Sequence, residues 1–234
     1  MNGKSTDNAV QDGGSSSPSD NLVIRSIHKT RGTVPALRVE VVEGSSFLCP
    51  PALAREYGLR PGVVLEAETV QSLQTRSEEH LAYQKILDLL ARREYTRKEL
   101  ELRLIKKGFS RESRDHALNR AVDQKIISHS RYSEDWIRGR LRKHPESTTL
   151  LTMGLVQRGV DKATARSIIT AMFEEEPDLE YRLCLDAAKQ LSARNVDGEK
   201  LPKKLLSRGF SMAVIRRSAR EIEKITGLPI HLKF

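Results

Sequence analysis

Histidine, cysteine and carboxylate positions decide first what chemistry this chain can hold. His28, His80, His116, His129, His144 and His231 are scattered, and none stands at metal-ligand spacing from another His or a Cys. They suit surface or capping roles better than catalysis. Cys49 and Cys184 are the only cysteines and lie far apart. Neither a zinc site nor a redox pair is encoded, and two lone thiols fit a reducing, cytoplasmic compartment. Cys184 falls on the apolar face of a helical stretch and reads as a core residue. Glu174, Glu175 and Glu176 are consecutive. On a helix end they point in different directions, so they read as a solvated terminus rather than a metal site. No Gly-x-x-x-x-Gly-Lys-Ser/Thr loop, His-Glu-x-x-His or Gly-x-Ser-x-Gly occurs. The residues therefore point away from an enzyme, and no cofactor is expected.

Cations are what remains. The formal net charge is +9, and it is unevenly placed. Residues 1–79 carry −2 and residues 80–234 carry +11. Within the basic part, residues 80–130 carry +5, residues 131–177 +1 and residues 178–234 +5. A polyanion, or a partner already coated on one, is the natural ligand for such a surface. The bland alternative is a solvated helical face. Candidate contacts are Arg92, Arg93 and Arg97 around one helix start, with Arg103, Lys106 and Lys107 on the helix that follows. Arg138, Arg140 and Arg142 line a helix further on. Lys203, Lys204, Arg208, Arg216 and Arg217 crowd the last segment. The two outer segments are expected to make the contacts while the middle one spans. Trp136, the one tryptophan, shares a helical face with Tyr132 and Leu141 and is expected to pack rather than to stack on a base.

The elements that hold these cations are helices. From Ser77 onward the apolar period is helical, as in Tyr83, Ile86, Leu87 and Leu90 within 78–93. Thr96 with Glu99 forms a capping box, in which hydroxyl and carboxylate each satisfy first-turn N–H groups. Three tetrapeptides then align: Lys107-Gly108-Phe109-Ser110, Arg158-Gly159-Val160-Asp161 and Arg208-Gly209-Phe210-Ser211, with glycines 51 and 50 residues apart. Each position has a task. The cation suits a helix C-terminus, glycine takes the left-handed turn, the apolar residue folds back across the corner, and Ser or Asp caps the next helix. A leading helix precedes each corner pair, at 78–93, 133–143 and 179–193. The expected fold is mainly α: an elongated tandem array of three three-helix repeats at 77–130, 131–177 and 178–234. Residues 21–76 differ. Branched runs at 22–28, 37–42 and 47–49, a Pro-led helix at 51–57 and a last run at 63–65 predict a small β-rich N-terminal module. Residues 1–20, rich in Ser, Gly, Asn and Asp, predict a disordered tail without a signal-type apolar stretch. No run is long and apolar enough for a membrane, and none is expected as a partner.

Several of these segments resemble the RecX family of RecA recombinase regulators. Ala91-Arg92-Arg93-Glu94-Tyr95-Thr96-Arg97-Lys98-Glu99-Leu100 with Lys107-Gly108-Phe109 is similar to the family's first repeat. Arg131-Tyr132 leading into Trp136-Ile137-Arg138-Gly139-Arg140 also matches it. Leu205-Leu206-Ser207-Arg208-Gly209-Phe210-Ser211, running on to Ile215-Arg216-Arg217, resembles the third repeat's ending. The likeness covers about residues 80–225, and the β-rich module resembles an extension of longer members. One departure is Ile127-Ser128-His129-Ser130 before Arg131-Tyr132, where members commonly carry acids. It touches a cap or ion pair, not the fold. The resemblance implies a protein that binds the RecA nucleoprotein filament and DNA; single-stranded and also double-stranded DNA are expected ligands, and a monomer is expected. It also implies inhibition of strand exchange and of co-protease activity. Two other readings stay open. One is a helix-turn-helix-like DNA-binding protein acting without RecA, although the third helix of each unit lacks a polar recognition face. The other is a helical adaptor for an acidic protein.

Overall fold

The computed structural model describes residues 21–42 and 44–230. The expected tail 1–20, His231 and Glu43 of the expected hairpin turn lie outside the described residues. The chain divides into two compact units, one up to Leu81 and one from Ala82.

In the first unit β1 (Asn21–Lys29), β2 (Leu37–Val41), β3 (Ser46–Cys49) and β4 (Val64–Glu66) form an antiparallel sheet in the order β3-β2-β1-β4. Alternation turns Ile24, Val39 and Cys49 to one face, where they meet Leu53 and Ala54 of α1 (Pro51–Glu56) and Leu73. Leu73 belongs to α2 (Ala67–Leu90), which begins well before the expected Glu78. Between Ala67 and Ser77 only Val70 and Leu73 are large and apolar, too few to show a period, and both are buried.

The second unit holds the end of α2, α3 (Arg97–Lys106) and α4 (Arg111–Asp123). It continues with α5 (His129–Lys143), α6 (Thr148–Gln157) and α7 (Lys162–Glu174), then α8 (Leu179–Ser192), α9 (Leu201–Ser207) and α10 (Met212–Thr226). Each group of three encloses its own core. Ile86, Leu100, Leu104 and Leu118 centre the first. Ile137, Leu151, Leu155 and Ile169 centre the second. Cys184, Leu205, Phe210 and Ile222 centre the third. Leu141 and Phe173 pack against both the second and third cores, so these two are continuous. Burial pushes the Cys184 thiol up to about 11, which keeps it protonated and inert, in keeping with a packing role.

The three corners have the conformation the glycines imply. Gly108, Gly159 and Gly209 have φ of +83°, +89° and +81°. Ser110, Asp161 and Ser211 accept from the first-turn N–H groups of α4, α7 and α10.

The corners also join one group to the next. Thr96 Oγ1, at the start of α3, donates to the carbonyl of Arg158 at 2.7 Å. Ser147 N, at the matching start of α6, donates to the carbonyl of Arg208 at 3.1 Å. A Cβ on Gly159 would lie 2.8 Å from Lys98 Cβ, and one on Gly209 2.2 Å from Ser147 Oγ. The helix start of one group thus seats directly on the glycine of the next. At these two positions glycine serves the close approach as well as the turn.

Candidate nucleoprotein interface

Helix ends and corners place the candidate cations, and their surroundings sort them. Around the start of α3 Tyr95 is the organiser. Its ring is buried, with the Arg93 guanidinium 3.7 Å and the Arg103 guanidinium 4.8 Å from its centroid. Arg93 also approaches Glu99 at 3.6 Å. Arg92 pairs with Asp88 one turn earlier, and Arg97 donates to Asn119. Lys106 and Lys107, at the end of α3, are exposed and have no ion-pair partner among the described residues.

On α5 the three cations differ. Arg138 pairs with Glu134, and Arg142 is exposed without an ion-pair partner among the described residues. Arg140 makes a fork to Glu146, with Nε to Oε1 at 2.5 Å and a second nitrogen to Oε2 at 3.2 Å. Glu146 is buried, so this guanidinium is committed to the fold. In the last group Lys203, Lys204 and Arg216 are exposed and lack ion-pair partners among the described residues. Arg217 reaches Asp178 at 2.8 Å and lies over Tyr181. Arg208 is half-buried beside Gln190, and desolvation pushes its pKa down.

Other polar groups differ from the expectation or were missed. Thr96 accepts from Glu99 N as a capping box requires, but the Glu99 carboxylate accepts from Tyr132 of α5 at 3.2 Å. A buried partner from the next group lies within reach, and that bond takes the carboxylate away from the cap. Ser128 caps α5, and Arg131 pairs with Glu94, so the segment without acids keeps both a cap and an ion pair. Trp136 packs as expected: its ring lies against Gly154 and under the Arg158 guanidinium. Lys162 and Arg166 were not anticipated. They line a cleft of about 420 Å³ with Thr148, Thr149, Thr152 and Thr170. Their i, i+4 spacing, flanking the Ala165–Ile169 stripe, was a legible signal. Glu174–Glu176 are exposed, and among the described residues no three His, Cys, Asp or Glu come together as metal ligands. No helix among the described residues is long and apolar enough to cross a membrane.

The Tyr132–Glu99 bond predicts an alkaline signature. Burial first, then the Glu99 charge, pushes the Tyr132 phenol up to about 12. An unfolded tyrosine titrates near pH ~10. The contribution is therefore complete below the unfolded value and lost as pH rises through the folded one. Urea unfolding of Tyr132→Phe should show a shallower loss of stability above pH ~10 than the parent. An unchanged slope would mean that Tyr132 is not the titrating group.

Comparison with known proteins agrees with this architecture. The family model described as RecX, first three-helix domain, matches residues 82–120. Regulatory protein RecX of Treponema pallidum (strain Nichols) is 30% identical over 129 residues, covering 55% of this chain and 77% of that protein. A crystal structure of regulatory protein RecX superposes with a TM-score of 0.60 at 18% identity, covering 83% of this chain and 97% of the other. RecX from Lactobacillus salivarius superposes with a TM-score of 0.53 at 21% identity, covering 63% and 98%. By sequence and by its three-helix groups, this chain belongs to the RecX family of regulatory proteins.

Proposed function

We propose that this chain binds a RecA–DNA filament and restrains RecA's strand exchange and co-protease activity. Family membership supports the regulatory role. The observation that supports a polyanionic partner is a group of exposed candidate cations that have no ion-pair partner among the described residues: Lys106 and Lys107, Arg142, and Lys203, Lys204 and Arg216. They lie at the ends of α3 and α5 and on α9 and α10. Lys162 and Arg166, with the hydroxyls of Thr148 and Thr152, add a basic cleft in the middle group. Arg93 and Arg103 are held on Tyr95 and present fixed charges. Arg140 is not part of the contact set, because Glu146 already holds it.

Three measurements test this. Co-sedimentation with RecA–single-stranded-DNA filaments should retain the protein, and stoichiometric addition should lower strand exchange. No change in either overturns the RecA reading, and a specific duplex footprint without RecA would favour a free-standing DNA-binding protein. A salt titration on single-stranded DNA should give a slope of log K against log salt of about −0.7 per phosphate contacted. The triple variant Lys203→Ala, Lys204→Ala, Arg216→Ala should reduce that slope by about 2. A flat salt response would remove the direct DNA contact.

A further inference from the structure

Two corners of the second unit are covered by a preceding helix start, and one is not. Val160 and Phe210, which follow Gly159 and Gly209, are 2% and 1% exposed. Phe109, the matching residue after Gly108, is only half-buried. A Cβ on Gly108 would meet nothing within 4 Å, whereas those on Gly159 and Gly209 would strike Lys98 and Ser147. The Gly108 corner thus has the shape of a joint without its other half.

The other half is present elsewhere in the chain. Counting by the corner spacing, Thr96 and Ser147 correspond to Asp197. Asp197 behaves as they do. Leu201 N donates to its carbonyl, as Leu100 N does to Thr96 and Leu151 N to Ser147. Lys200 N donates to Oδ1 of Asp197, as Glu99 N does to Thr96 Oγ1. No fourth corner sits on this turn. Instead Pro229 lies against it, and a Cβ on Gly198 would be 2.1 Å from the Pro229 carbonyl oxygen. The covering segment is held by Leu228 N donating to Thr226 Oγ1, by Ile230 N donating to Glu223, and by Ile230 at the margin of the third core.

The leftover surfaces offer one complementary charge contact. Lys98, which donates to the Gln157 carbonyl in the first joint, corresponds to Glu199. Gln157 and Arg158 correspond to Lys106 and Lys107. Joining the turn to the open corner would place Glu199 beside two lysines that have no ion-pair partner among the described residues.

We propose that the Gly108 corner is a docking surface for a second copy of this chain, which inserts its Asp197–Lys200 turn, and that Leu228–Ile230 restrain this association. The contact is head-to-tail: the surface that donates differs from the one that receives, so it extends into a row rather than closing as a two-fold dimer. It is the internal joint repeated between chains. While Leu228–Ile230 are seated the chain is a monomer.

Sedimentation across a wide concentration range tests this with the full chain, a form truncated after Gly227, and the full chain carrying Glu223→Ala. The full chain should stay monomeric. The truncated form should show a mass that passes twice the monomer value and keeps rising. Lys106→Glu with Lys107→Glu should return it to monomer, and adding Glu199→Lys should restore association. A truncated form that keeps native helicity yet stays monomeric overturns the proposal, as does association indifferent to the charge reversals. If the truncated form fails to fold, Glu223→Ala decides by the same two outcomes. A full chain that associates as strongly as the truncated one overturns the restraint by Leu228–Ile230.

Discussion

Gly209→Ala is expected to destabilise the second unit by about 3 kcal/mol, and Gly108→Ala by only about 1 kcal/mol. All three corner glycines have φ between +81° and +89°, so any residue with a Cβ is strained there. That common part costs roughly 1–2 kcal/mol. At Gly108 nothing else opposes a methyl group. At Gly209 the methyl would also lie 2.2 Å from Ser147 Oγ and 3.3 Å from Leu150 Cγ, inside a joint that is already closed. Overpacking of this kind costs about 1–3 kcal/mol. Gly159→Ala should behave like Gly209→Ala, since its obstacle is Lys98 Cβ, which is fixed to α3. Urea midpoints of the three variants check the ranking. Ser147→Gly added to Gly209→Ala should recover the steric part, because Ser147 makes no side-chain cap bond that would be lost. Equal losses at the three glycines would mean that the corners are merely turns and not joints.

Arg140→Ala is expected to cost about 2–3 kcal/mol, although it removes a candidate contact residue from the surface. Truncation leaves the Glu146 carboxylate buried without its fork, and breaking one side of a buried pair is usually worth about 3–5 kcal/mol. The Arg140 side chain is 40% exposed, which lets solvent reach the pair and lowers the figure. Thermal unfolding reads this directly. Arg142, two residues on and exposed, gives the contrast: Arg142→Ala should leave stability within about 0.5 kcal/mol of the parent and act on DNA affinity instead. Should both variants unfold alike, the division of α5 into a structural and a binding cation is wrong.

Much of the helical part was legible from one dimension. The apolar spacing in the second half of α2, the caps at Thr96, Ser110, Asp161 and Ser211, and the left-handed glycines all depend on neighbours within about four residues. The beginning of α2 was not legible. Val70 and Leu73 give no period, and Leu73 is buried against Ile24, Val39 and Cys49, which lie far away in sequence. The cation set was legible as composition but not as function. Arg140 and Arg142 look alike in sequence, and only the position of Glu146 separates them.

The sequence by itself determined the repeated unit, its corners and the basic character of the surface. It also carried enough of the family's residues for the resemblance to be stated. The tertiary structure decided how the units meet. Thr96 bonds to a carbonyl 62 positions away, and Glu99 leaves its cap for a tyrosine 33 positions away. Local signals express the conformational preferences of one helix or one turn. Joints express which desolvated polar groups find partners once two such pieces close together, and that choice exists only in the packed chain.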